Sequence, residues 1–323
     1  MLEVIEPGAL STVQDGGRLG YLDQGVPPSG AVDRWSLAVA NLLLGNRADA
    51  AALEMTLLGP TLAVRTTGVV AIAGADLEAE VVEEGLVLAP GASYLVRAGT
   101  TLCFGAARDG VRAYLALAGG IAVETVLGSA STCLAGGFGG LDGRAVRVGD
   151  VLRAVSPPGA ASAGRRWPRG AFDVLGDGPI AIVPTGRAAG VHDGALAALQ
   201  VTTWSVSPWS DRTGVRLAGD PLPTGTDAGS LLSRGMVPGA IQVPPAGEPI
   251  VLLADGPTVG GYPVPAVVAS ADLGRLAQRP TGADVRFLAV SIPQAQAMWR
   301  QQAALLGEAA AALTGLDPRL SGV

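Results

Sequence analysis

Glycine and proline punctuation constrains this chain more than any other feature. Forty-seven glycines and 23 prolines cut its 323 residues into short apolar runs. Glycine stands at about twice its usual ~7% share, and both residue types fix turns. Such a chain favours many short strands joined by tight turns over a bundle of long helices. With 49% hydrophobic and 15% charged residues, it also has ample material for a large core.

The β-like runs include Thr61–Val64, Gly68–Ala73, Ala79–Val82, Thr101–Phe104 and Arg112–Leu117 in the first half. Ile180–Val183, Thr202–Val206, Ile250–Leu253 and Val285–Val290 follow in the second. Three helices interrupt them. Ala31–Leu44 carries a 3.6-period apolar stripe of Val32, Trp35, Val39, Leu42 and Leu43 with Gly45 as its stop. Ala195–Leu199 is a short second helix. Pro293–Leu313 is a long, alanine- and glutamine-rich third, with Pro293 suited to its first turn. The small-residue stretch Ser156–Gly164 reads as a linker. The expected division is therefore 1–155, a linker at 156–170, a second unit at 171–292, and a C-terminal helix and tail at 293–323.

Composition also excludes chemistry. The net charge of −6, without a dense basic patch, argues against nucleic-acid binding. No apolar run reaches the ~18 residues that span a bilayer. The first residues are acidic where a leader would be basic, so a cytoplasmic protein is expected. All 22 basic residues are arginine, which removes a P-loop lysine, a Schiff-base lysine and any side chain for biotin attachment. The single histidine, His192, rules out multi-histidine zinc sites, and no metal is expected. Cys103 and Cys133 read as buried thiols.

Polar residues concentrate in two glycine-rich clusters. The first runs from Gln14-Asp15-Gly16-Gly17-Arg18 to Ser29-Gly30-Ala31-Val32-Asp33. The second comprises Gln242, Asp255 and Tyr262 among glycines and prolines, and Asp211-Arg212 with Arg216 repeats the carboxylate–arginine theme. Two readings of Asp15 and Arg18 stand open: a salt bridge that locks the turn, or an anion site in which the guanidinium fork takes carboxylate or phosphate oxygens. Ser29 and Asp33 precede the first helix, whose amide donors favour anions, and for Ser29 the ordinary capping role is favoured. Asp15, Arg18, Glu54 and Arg212 are candidates for the chemistry. Ser29, Asp33, Gln242, Asp255 and Tyr262 are candidates for substrate binding.

These residues also carry a family resemblance. The run from Val13 to Asn46, the Gly119–Thr132 segment, Ser210-Asp211-Arg212-Thr213-Gly214 and Gly239–Pro249 match one family in order. So do Gly260-Gly261-Tyr262-Pro263 and Ala271-Asp272-Leu273 with Gln278. From about Val4 to Phe287 the chain resembles the C component of bacterial 5-oxoprolinase, the carboxyltransferase subdomain A/B or allophanate hydrolase subunit 2 family. The resemblance implies a mainly β fold of two cyclophilin-like β-barrel units, and a Kip inhibitor-like partner, the B component of the same enzyme.

It also implies membership of a complex that, with a third component (A), uses ATP to open 5-oxo-L-proline to L-glutamate. The chain is expected to be inactive alone. The alternatives implied are a carboxyltransferase component of a urea carboxylase-like system, with biotin supplied in trans, or a regulatory partner of the Kip inhibitor-like protein. Two positions depart from the family pattern: Ala130 stands where members usually carry arginine, and Pro257 where they carry glutamine.

Overall fold

The computed structural model describes residues 1–156, 162–168, 176, 178–186, 191–192, 194–224 and 231–313. The architecture is mainly β, with short strands linked by glycine-bearing turns. Two compact units emerge. One comprises Met1–Arg18, Ser29–Ala171 and Ala304–Val323, the other Leu19–Pro28 and Phe172–Ala303. No described helix is long and apolar enough to cross a membrane.

The first unit contains β1 (Leu2–Glu6), β2 (Leu10–Gln14), α1 (Arg34–Leu43), β3 (Ala52–Thr56), β4 (Thr61–Val64) and β5 (Gly68–Asp76). Then come β6 (Glu80–Val81), β7 (Leu86–Val87), β8 (Ala92–Val96), β9 (Thr101–Cys103), β10 (Asp109–Leu117) and β11 (Val151–Leu152). They form two sheets, ordered β11-β1-β4-β9-β6-β7 and β2-β3-β10-β5-β8. Alternate residues of both sheets meet in one core: Leu2, Val4, Leu62, Val64 and Leu102 from the first, Leu53, Met55, Val70, Ile72, Leu115 and Leu117 from the second. Both strand orders are linear, so the unit is two sheets facing a shared core.

The second sheet is buried on its other face as well, because α1 packs over β5, β10 and β8. The residues beneath it are small, Ala71, Ala73 and Ala116 among them, and all are buried. Small side chains there let the helix lie close. Two polar residues share that face: Glu54 and Tyr114 are direct cross-strand partners of β3 and β10.

The rest of the chain supplies β12 (Ile180–Pro184), α2 (Ala195–Val201), β13 (Trp204–Val206), β14 (Gly214–Ala218), β15 (Arg234–Gly235), β16 (Ile241–Gln242) and β17 (Ile250–Leu252). β18 (Val259–Gly260), β19 (Ala266–Val268), α3 (Ser270–Ala277), β20 (Asp284–Val285), β21 (Phe287–Ala289) and α4 (Ile292–Ala311) follow. The sheet orders of this second unit are β16-β17-β14-β13-β20, β19-β12-β21 and β15-β18. Trp204 is fully buried and its indole N–H donates to the Leu199 carbonyl at 3.1 Å. Asp272 is buried in the first turn of α3, where its carboxylate accepts from Ala181 N at 2.7 Å and from Arg275 at 2.8 Å. That motif residue therefore ties helix to strand.

Several expectations shift in detail. Helix α1 begins at Arg34, because Asp33 is its N-cap and accepts from Ser36 N at 3.1 Å. Ser29 is not the cap: its φ is +51° and it lies outside the helix. Of the stretch read as a linker, the described residues 162–168 lie against β8, with Ser93 N donating to Arg165 O and Trp167 N to Gly91 O. Trp167 and Ala163 are buried, and apolar burial holds this segment to the first unit. α4 starts one residue before Pro293, in a capping box where Ser291 N donates to Gln294 Oε1 at 2.8 Å and Gln294 N to Ser291 Oγ at 3.4 Å. Cys103 is half-buried; Cys133 is buried, and both are free.

Candidate functional site

In the first unit the candidates gather around the turn that ends β2. The Asp15 carboxylate is fully engaged. Its Oδ1 accepts from Gly17 N at 2.8 Å, Ser129 Oγ at 2.7 Å and Ser131 Oγ, and its Oδ2 accepts from Ala130 N at 2.6 Å. The segment 129–132 is fastened to β2 in turn, as Thr132 N and Oγ1 both donate to Val13 O. Ala31 N donates to Asp15 O at 2.9 Å, which brings in the lead to α1. Close approach there requires glycine. A Cβ on Gly30, whose φ is +82°, would sit 2.6 Å from Gly17 Cα. Ala130 thus contributes its amide to the centre of this cluster.

Arg18 does not pair with Asp15, so the salt-bridge reading is replaced. Its Nε donates to Val126 O at 2.9 Å and its Nη2 to Ser131 O at 2.9 Å. The guanidinium lies over the Phe138 ring, 4.8 Å from its centroid. Arg18 is only 1% exposed, yet among the described residues its Nη1 has no hydrogen-bond partner. Two further buried atoms share that condition nearby, Ser29 Oγ and Gln14 Oε1. Gln14 Nε2 is satisfied by Thr12 Oγ1 and Thr132 O.

Glu54 and Asp33 lie under the start of α1. Val32 N donates to Glu54 Oε2 at 3.0 Å, the Tyr114 hydroxyl donates to the same oxygen at 2.7 Å, and Asp33 N donates to that hydroxyl at 2.9 Å. Burial, followed by the nearby Glu54 and Asp33 charges, pushes the Tyr114 pKa well above its ordinary value. The phenol stays protonated. A carboxylate beneath the first turn also meets the positive end of the helix dipole.

In the second unit, Arg212 and Asp255 form a buried ion pair, Nε to Oδ2 at 2.7 Å, with side-chain exposures of 3% and 4%. The other carboxylate oxygen, Asp255 Oδ1, has no partner among the described residues. Gln242 is buried on β16, and its Nε2 lies where a Cβ on Gly260 would come within 2.3 Å. Tyr262 is 39% exposed; its carbonyl accepts from Arg234. Asp211 accepts from Thr213 N and Gly214 N, which makes it a turn residue. His192 is exposed, and its Nδ1 accepts from Gly194 N. Its neighbour Asp193 lies outside the described residues.

Tyr114 carries no candidate role in the sequence, and Ser129 and Ser131 enter there only within the motif segment ending at Thr132. The spacing Ser129-x-Ser131-Thr132 was a usable signal, since alternate residues of an extended segment present their hydroxyls to one side.

A family model for the carboxyltransferase domain, subdomain A and B, matches residues 24–289. The chain belongs to that family. It is 39% identical to the C component of Escherichia coli 5-oxoprolinase over 91% of this chain and 93% of that protein. Over 89% of its length it superposes on TTHA0988 with a TM-score of 0.77 and 38% identity, spanning 56% of that chain. It superposes over 99% of its length on the K. lactis urea amidolyase, with a TM-score of 0.84 and 29% identity, spanning 20% of that larger chain.

Proposed function

We propose that this protein is one subunit of an ATP-dependent 5-oxoprolinase that converts 5-oxo-L-proline to L-glutamate. The observation that carries this reading is the end-to-end match with the C component of the E. coli enzyme, against a match to only a fifth of the urea amidolyase chain. The partners are the Kip inhibitor-like B component and the A component. ATP is used by the complex. When bound, it supplies a phosphoryl group that turns the unreactive lactam oxygen into a leaving group.

This chain's donors suit anionic oxygen: buried arginine and hydroxyl, with no lysine. Substrate contact is assigned to Arg18 and Ser29, buried donors whose Nη1 and Oγ have no partner among the described residues. Asp15, Glu54 and Asp33 hold the surrounding turn and helix start in position, and in the second unit Arg212 pairs with Asp255. Gln242, Asp255 and Tyr262 are the second unit's own candidates for ligand contact. Preorganised donors of this kind stabilise charge as it develops, without reorganisation at the moment of reaction.

A second reading has its own support, the structural likeness to urea amidolyase. In it the chain is a carboxyltransferase component served by biotin on another polypeptide. The deciding experiment mixes the purified chain with both partner proteins and measures glutamate and ADP. Glutamate formed in step with ADP supports the oxoprolinase. Biotin-dependent carboxylation of urea, with no glutamate, overturns it.

A further inference from the structure

Arg18 is a buried cation held by two carbonyl oxygens and an aromatic face, and among the described residues none of its hydrogen-bond partners is a carboxylate. Asp15 lies one hydrogen-bond layer away, through Ser131, with its own oxygens already taken. Buried charges are ordinarily paired and fully hydrogen-bonded, because desolvating them alone is costly. Here one guanidinium nitrogen, Nη1, is left without an acceptor.

Ser29 is a second, independent departure. It adopts a φ of +51°, a region that disfavours a side chain, although Gly30 beside it shows that glycine is accommodated at this bend. Its hydroxyl is buried and has no partner among the described residues. The residue therefore carries backbone strain and an unused polar group together, a combination that local stability does not explain and that accumulates at ligand sites. The two residues belong to one neighbourhood, since Gly30 packs on Gly17 and Ala31 N bonds Asp15 O.

From these two orphaned donors we infer that Arg18 Nη1 and Ser29 Oγ form a carboxylate-binding pair, which recognises the α-carboxylate of the lactam substrate. This rests on the oxoprolinase reading and adds which group of the substrate this pair holds. A guanidinium N–H and a hydroxyl are both donors, and a carboxylate offers two acceptor oxygens with the compensating charge. Neither donor reaches solvent, so the proposal includes a local opening of the turn that admits the carboxylate. Urea and other neutral amides have no group for this pair.

The test compares 5-oxoproline with 2-pyrrolidinone, the same lactam without the carboxylate, on the reconstituted complex. Arg18→Ala and Ser29→Gly are the variants. Ser29→Gly removes the hydroxyl and relieves the strained φ, so the protein keeps its melting temperature or gains slightly. The expected result is a KM or Kd for 5-oxoproline raised ~10–100-fold in each variant, the equivalent of one lost charge-assisted hydrogen bond. Binding of 2-pyrrolidinone stays unchanged in Ser29→Gly. Wild-type turnover of 5-oxoproline with unaltered KM in both variants overturns this assignment and leaves the oxoprolinase reading standing. Equal weakening toward both lactams in Ser29→Gly also overturns it. A wild-type complex that neither binds nor cleaves 5-oxoproline overturns both.

Discussion

Tyr114 and Glu54 face each other across β10 and β3, and the phenol donates to the carboxylate at 2.7 Å in a fully buried space beneath α1. The same phenol oxygen accepts Asp33 N, so one hydroxyl joins a sheet, a carboxylate and the helix cap.

Replacing Tyr114 by Phe is expected to lower stability by about 1–3 kcal/mol, the cost of leaving a buried donor and acceptor unmade. The alkaline limb follows from the sign of the pKa shift. The folded pKa is raised, so in alkali the unfolded chain releases its proton before the folded one does. Stability from this group is complete below about pH 10 and falls by about 1.4 kcal/mol per pH unit above it. Few other groups titrate there, as the chain has four tyrosines and no lysine. Urea unfolding between pH 8 and 11 should show this decline in the wild type and a shallower one in Tyr114→Phe. Parallel slopes would refute the network.

Arg212 and Asp255 supply a second contrast. Asp255→Ala removes the buried carboxylate that pairs with Arg212 and is expected to cost about 3–5 kcal/mol, whereas Asp255→Asn keeps the shape and an acceptor and costs less. If Asp255 Oδ1 also meets substrate, Asp255→Asn lowers kcat of the complex out of proportion to its melting temperature. Activity that simply tracks the folded fraction would make the pair purely structural.

The mainly β class, α1, α2 and the C-terminal helix were legible in the sequence, because strand runs and helical stripes are local patterns. Both polar clusters were legible as concentrations of unusual residues. Their wiring was not. Ser129 and Ser131 stand 114 and 116 residues from the Asp15 they bond, and Asp255 stands 43 from Arg212. The three-residue spacing of Asp15 and Arg18 suggested a local ion pair, but hydroxyls and amides brought from afar occupy the carboxylate first. Ser29 looked like a cap because it is a serine ahead of a helix. The positive φ that removes it from that role depends on Gly30 packing against Gly17, which no local pattern encodes. At 162–168 small residues suggested freedom, while Trp167 is buried.

Asp15→Asn should be severe despite its small size. The carboxylate accepts amide donors at both oxygens, and an asparagine must aim its NH2 at one of them. A donor then faces Ala130 N or Gly17 N, so a loss of at least about 1.5–3 kcal/mol is expected. Thermal unfolding measures it. A variant that melts like the wild type would show that the turn tolerates the loss of its anion.

The absence of lysine gives the sharpest test between the two functional readings. Biotin cannot be attached to a side chain of this polypeptide, so any biotin dependence of the complex must come from another chain. Reconstituted activity is measured with and without avidin, in preparations stripped of biotin. The oxoprolinase reading expects glutamate formation untouched by avidin, and no 5-oxoproline-dependent ATP hydrolysis from this chain alone. Complete inhibition by avidin reverses the order in favour of carboxyl transfer. Robust ATP hydrolysis by the isolated chain would instead show that this polypeptide handles ATP without partner proteins.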